Sequence, residues 1–190
     1  MKVKITLITG GSRSGKSRFA QELAQQSRQP VLFVATAEPG DEEMRQRIAQ
    51  HQQDRPPAWQ TLEATSDLGR QITQNIGPAP TVIIDCVTIL VSNILLRHSK
   101  LSDENTSADL IEQEVITEIK GIINCARQAP ASFIVVTNEV GLGLVPANKT
   151  GRLYRDLLGK ANQLLAQHAD EVYLMVSGIP VPVKTGGAQH

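Results

Sequence analysis

Eight consecutive residues, Gly10-Gly11-Ser12-Arg13-Ser14-Gly15-Lys16-Ser17, fit the spacing G-x-x-x-x-G-K-[ST]. Each residue type there answers a need of a bound triphosphate. The glycines let successive backbone N–H groups turn inward around phosphate oxygens. Lys16 brings a full charge to the β- and γ-phosphates, and the Ser17 hydroxyl can ligate Mg²⁺. A second candidate is Asp85, which closes the run Thr81-Val82-Ile83-Ile84. An acid after an apolar strand can hold Mg²⁺ directly or through water. The same residue would also serve as a turn residue or a cap for a helix starting near Thr88.

His51 shares a helical face with Met44 and Ile48, at steps of four and three. That spacing favours a half-buried histidine closing an apolar stripe. A neutral imidazole with pKa ~6.5 is also available as a nucleophile or acid–base group. Arg152, Arg155 and Asp156 fall in the first turns of a late helix, where pairing in solvent is favoured over a phosphate contact.

The elements around these residues follow from pattern. Val3 to Thr9 is β-branched and apolar, a buried strand leading into the glycine loop. Phe19, Ala20, Leu23 and Ala24 then recur at helical spacing, so the loop opens a helix whose free N–H groups and dipole favour an anion. Val31 to Ala35 reads as a second strand, ending in the turn Thr36-Ala37-Glu38-Pro39-Gly40. Asp41 caps a helix that Pro56-Pro57 ends. The pattern assigns nothing to the segment holding Trp59 and Glu63. Further strands are expected at Thr81 to Asp85, Ser132 to Thr137, Glu171 to Val176 and Val181 to Lys184. Helices are expected through Ile89 to Leu95, Ile111 to Ala126 and Leu153 to Leu164, with a polar surface loop from Ser99 to Ser107.

Strands alternating with helices imply parallel pairing. The expected fold class is α/β: a three-layer P-loop NTPase fold, a mostly parallel sheet with helices on both faces. Residues 1–190 read as one P-loop nucleotide-binding catalytic domain, with 185–190 a frayed tail. Ligands in such sheets sit beyond the carboxyl ends of the strands. The glycine loop, Thr36, Ala37 and Glu38, Asp85, and Asn138-Glu139 all fall there.

Composition removes several function classes. The formal net charge is zero, with no basic stripe, which predicts no nucleic-acid partner. No apolar run reaches the ~18 residues of a membrane span. The N-terminus lacks a signal-peptide layout, which predicts a cytoplasmic protein. Cys86 and Cys125 are far apart and read as reduced core thiols. A GTPase switch would need D-x-x-G, but Asp85 is followed by Cys86-Val87-Thr88. It would also need N-K-x-D, but Asn148-Lys149-Thr150 is followed by Gly151.

Taken in order, the motifs resemble one family. They run from Thr9 to Arg18 through Ala35-Thr36-Ala37, Glu43-Met44, Arg47-Ile48 and His51. Arg55-Pro56, Trp59, Thr61 and Glu63 follow, then Asp85-Cys86-Val87-Thr88 with Val91 and Asn93. Thr137-Asn138-Glu139-Val140-Gly141, Val145-Pro146, Arg152 with Tyr154-Arg155-Asp156, Gly159, Asn162-Gln163, and Val176 to Pro180 complete the match. The sequence resembles adenosylcobinamide kinase / adenosylcobinamide-phosphate guanylyltransferase, a bifunctional family of cobalamin biosynthesis. Departures are mild: Ser12 stands where alanine is common, and Ile89-Leu90 where a leucine–tryptophan pair often stands.

The resemblance implies two reactions at one site. ATP or GTP first phosphorylates the hydroxyl of adenosylcobinamide. GTP then gives GMP to adenosylcobinamide phosphate, through a GMP–histidine, releasing pyrophosphate. The matching histidine is His51, and Glu63 and Asp85 match acidic nucleotide-site positions. The implied partners are the corrinoid substrates, ATP, GTP and Mg²⁺, and the implied assembly is a homotrimer.

Overall fold

In the computed structural model, which describes residues 3–27, 29–37, 55–100 and 108–186, seven strands form one sheet. They are β1 (Ile5–Gly10), β2 (Val31–Ala35), β3 (Gln60–Glu63), β4 (Thr81–Asp85), β5 (Ser132–Val136), β6 (Glu171–Val176) and β7 (Ile179–Lys184). Their spatial order is β3-β2-β4-β5-β1-β6-β7. Every pairing is parallel except β6 with β7, which run antiparallel. The central strands are apolar on both faces, as parallel strands between two helical layers must be. All five residues of β2 and of β5 are buried.

Five described helices cover the sheet: α1 (Lys16–Gln26), α2 (Leu68–Asn75), α3 (Val87–Lys100), α4 (Ala108–Gln128) and α5 (Lys149–His168). Helix α1 packs Ala20 and Ala24 against Ile8, Phe33, Ile83, Ile134 and Met175 on one face. The other four bury Leu68, Ile94, Ile119 and Leu158 against Leu7, Leu32, Ile84 and Phe133 on the opposite face. The expected three-layer α/β architecture is therefore the observed one.

Two elements lie outside the sequence expectation. The segment around Glu63 is strand β3, in register with β2 from Leu32↔Gln60 to Ala35↔Glu63. Helix α2 is the other. Its N-cap position, Asp67, is left-handed (φ 50°) and makes no side-chain cap. Instead Glu118 of α4 accepts hydrogen bonds from the N–H groups of Asp67 at 2.8 Å and Leu68 at 2.6 Å. The polar stretch expected from Ser99 is also corrected in part, because α3 continues to Lys100. The helix expected from Asp41, with His51 on it, falls outside the described residues.

The crossing of α2 and α4 depends on glycine. A Cβ added to Gly69 would lie 2.4 Å from the Gly121 carbonyl oxygen, whereas one added to Gly121 would meet nothing within 4 Å. Overpacking of this kind costs about 1–3 kcal/mol. Gly69→Ala should therefore lower stability by that amount in urea titrations. Gly121→Ala should leave stability unchanged or raise it by up to about 1 kcal/mol through helix propensity. Equal effects from the two substitutions would contradict the close crossing.

Candidate active site

The glycine loop joins β1 to α1 and is shaped by what lies behind it. Gly10 takes φ 145°, and a Cβ there would stand 2.6 Å from the Met175 carbonyl oxygen. Gly15 takes φ 92°, and its Cβ would stand 3.3 Å from the Gly178 Cα. Only glycine meets both demands at these positions. The Gly178 N–H donates to the Ser14 carbonyl at 3.0 Å, so the β6–β7 turn braces the loop.

Lys16 is buried, and its Nζ donates to the Gly11 carbonyl at 2.6 Å. Burial lowers its pKa, while Cys86 and Asp85 pull it back up. Ser14 Oγ is buried without a hydrogen-bond partner. Leaving such a group unpaired costs about 1–3 kcal/mol. Arg13, Lys16, Ser17, Asp85, Cys86 and Asn138 share a cavity of about 500 Å³ with the loop. Ser12 and Gly15 also face it, whereas Gly10, Gly11 and Ser14 form the loop's own framework.

The acidic side is built by register. Glu63 and Asp85 both pair with Ala35, and Asp85 pairs in turn with Val136. The backbones of the two acids therefore share one level of the sheet, two strand spacings apart (roughly 9–10 Å). Arg55 lies between them electrically. Its guanidinium sits 3.7 Å above the Phe33 ring, and Nη1 donates to Thr61 Oγ1 at 3.4 Å. Burial lowers its pKa, and Asp85 and then Glu63 oppose that shift. Arg55 entered the sequence reading only as a motif position, and its signal there, an arginine before proline, carries no chemistry by itself.

Thr36 stands at the carboxyl end of β2 and is fully buried. Its hydroxyl donates to the Cys86 carbonyl and accepts from the Cys86 N–H, both at 2.8 Å. Asn93 Nδ2 donates to the Thr36 carbonyl at 2.9 Å. Thr36 therefore fixes the backbone next to Asp85 and has no free surface for a nucleotide. Ala37 is half-buried beside it. Glu38 and His51 lie outside the described residues.

With the site assembled, the known proteins it resembles can be placed. Residues 6–183 match the family described as cobinamide kinase / cobinamide phosphate guanyltransferase. The chain belongs to that family. It is 42% identical over 179 residues to the bifunctional adenosylcobalamin biosynthesis protein CobU of Escherichia coli K12, covering 94% of this chain and 98% of that protein. The Salmonella typhimurium protein of the same name is 41% identical with the same coverage. The Pseudomonas aeruginosa protein CobP is 36% identical, covering 94% of this chain and 96% of its own length. Among solved structures, a structural-project protein of Pyrococcus horikoshii OT3 aligns with a TM-score of 0.55 at 12% identity, covering 96% of this chain and 86% of that one. That last likeness concerns the fold alone. The family match spans the glycine loop, Glu63, Asp85 and the loop's brace, so the cavity lies wholly within it.

Cys86 is the free, core-packed thiol expected of it, and it also lines the cavity. Burial raises its pKa from 9.0 to about 11, helped by Asp85. A raised acid pKa keeps the thiol protonated and unreactive until the pH passes that value. In a Cys125→Ala background, iodoacetamide labelling of Cys86 should rise with a midpoint near pH 11, and bound nucleotide should slow it. A midpoint at or below pH 9 would contradict the buried, acid-flanked setting.

Proposed function

We propose that the protein phosphorylates adenosylcobinamide and then converts the product to adenosylcobinamide-GDP, using one nucleotide site for both. The observation that carries the reading is the cavity joining Lys16, Ser17 and Asp85 inside a family match over residues 6–183. No described helix is long and apolar enough to cross a membrane.

In the first reaction the loop N–H groups and Lys16 hold the β- and γ-phosphates. Ser17 and Asp85 would hold Mg²⁺, which when bound neutralises charge on the triphosphate. The substrate hydroxyl attacks the γ-phosphorus and the nucleoside diphosphate leaves. Phosphoryl transfer needs positioning and charge stabilisation, not a covalent protein intermediate.

In the second reaction neutral His51 attacks the α-phosphorus of GTP, and pyrophosphate leaves. The corrinoid phosphate then attacks the same phosphorus, the N–P bond breaks, and the imidazole is regenerated. The family match, which spans His51, supports it in this role. Glu63 and Arg55 are assigned to the nucleotide side, together with Ala37 and Glu38.

The protein is further proposed to act as a homotrimer. Support comes from apolar side chains left exposed on β7 and beside it: Val176, Ile179, Val181 and Val183. Uncovered edge strands of this kind invite association. A species of 20.6 kDa in sedimentation at micromolar concentration would count against the trimer.

Two substitutions test the chemistry. Lys16→Ala should reduce both reactions by at least about 10²-fold, since both need the triphosphate held. His51→Asn should remove guanylyl transfer and leave phosphorylation of adenosylcobinamide largely intact. Wild-type protein mixed with α-labelled GTP should keep label through denaturation in base and lose it in acid, as a phosphoramidate does. Label on His51→Asn, or none on wild type, would sink the histidine intermediate.

A further inference from the structure

Strand β5 lies between β1 and β4, so the chain leaving its carboxyl end emerges between the phosphate loop and Asp85. The second residue beyond that strand is Asn138, and its backbone is held from two sides. Its N–H donates to Thr88 Oγ1 of α3 at 2.7 Å. Its carbonyl accepts from Asn162 Nδ2 of α5 at 3.0 Å. Asn162 Oδ1 in turn accepts from Thr137 Oγ1 at 2.7 Å, which fixes the amide's orientation. The Tyr154 hydroxyl donates to the Thr88 carbonyl at 3.2 Å, and burial holds its pKa at about 12, so that donor persists at working pH.

This is an expensive way to make a turn, because polar side chains from two helices are fixed on one residue's backbone. With both backbone groups engaged, Asn138 keeps its side-chain amide for other contacts, and the residue lines that cavity with Lys16 and Asp85. Those two neighbours mark the terminal-phosphate end of the loop. An amide there supplies N–H donors without adding charge or displacing a cation.

We propose that the Asn138 amide is a catalytic group of phosphoryl transfer, contacting the γ-phosphoryl oxygens in transit, with Asn162 and Thr88 as its positioning residues. The assignment rests on the function proposed above. In that step the alcohol oxygen bonds to the γ-phosphorus. The bond to the β-phosphate oxygen breaks, its electron pair leaves on the diphosphate, and the alcohol proton passes to solvent. Guanylyl transfer breaks the bond at the α-phosphorus instead, so it should not need this amide.

The test compares two rates on the full-length protein: phosphorylation of adenosylcobinamide by ATP, and pyrophosphate release from GTP with adenosylcobinamide phosphate supplied. Asn138→Ala should lower kcat for phosphorylation about 10²-fold. KM for ATP and the guanylyl-transfer rate should stay within about two-fold. Asn162→Ala should show the same split at smaller size, and Asn138→Ser should recover part of the rate. Equal losses in both reactions, or a change in KM alone, would overturn the proposal. If Asn138→Ala does not fold, Asn138→Asp keeps the shape and replaces the donor with a negative charge. Undiminished phosphorylation by that variant would equally overturn it. If wild type transferred no phosphate to adenosylcobinamide, the functional reading would fail first and this assignment with it. A wild type active in both reactions, without the split in the variants, would remove this assignment alone.

Discussion

Everything at this site depends on one close approach: the backbone of the glycine loop against the turn between β6 and β7. A phosphate can be wrapped by N–H groups only if the loop is tight and held from behind. A Cβ on Gly10 would run into the Met175 carbonyl, one on Gly15 would crowd Gly178, and the Gly178 N–H donates to the Ser14 carbonyl. The brace comes from the far end of the chain, more than 160 residues away in sequence. Strand β6 must therefore pair with β1 before the loop has its shape, and that pairing runs from Thr6↔Glu171 to Gly10↔Met175. The phosphate site is a product of the complete sheet and cannot be formed by the loop segment alone.

The acidic side obeys a different constraint. Strand ends tolerate loose backbone, but a metal-side carboxylate must be held closely to be useful. Thr36 provides the hold. It spends its hydroxyl on both polar groups of Cys86 and is itself pinned by Asn93. These bonds form a clasp between β2 and the start of α3. Its effect on a nucleotide would pass through Asp85. The same logic applies on the other side of the cavity, where Thr88 and Asn162 hold Asn138.

Local signals were readable in the sequence and long-range ones were not. The glycine loop announces itself because spacing, strand and helix are all contiguous. Strands β4 and β5 are visible because burial on both faces demands an unbroken apolar run. Strand β3 was missed for the opposite reason: Gln60, Thr61 and Glu63 are exposed at an edge, and only Leu62 packs against the core. Helix α2 was missed because it is short, carries a glycine for a tight crossing, and takes its N-terminal cap from Glu118, fifty residues on. No local pattern encodes that partner. Arg55 illustrates a third kind of silence. Its importance lies in being shared by Asp85, Glu63 and the Phe33 ring, which only register brings together.

The two proposed reactions place opposite demands on a single cavity, and the fold answers them from different parts of the chain. Chemistry at the γ-phosphorus needs groups fixed relative to the loop. Those groups stand at the ends of β4 and β5, strands buried on both faces and tied to α3 and α5. Chemistry at the α-phosphorus needs a nucleophile that arrives beside a triphosphate already seated. The proposed carrier, His51, falls in sequence between β2 and β3. The order of reaction then follows from the substrate, since the corrinoid must carry a phosphate before it can accept GMP.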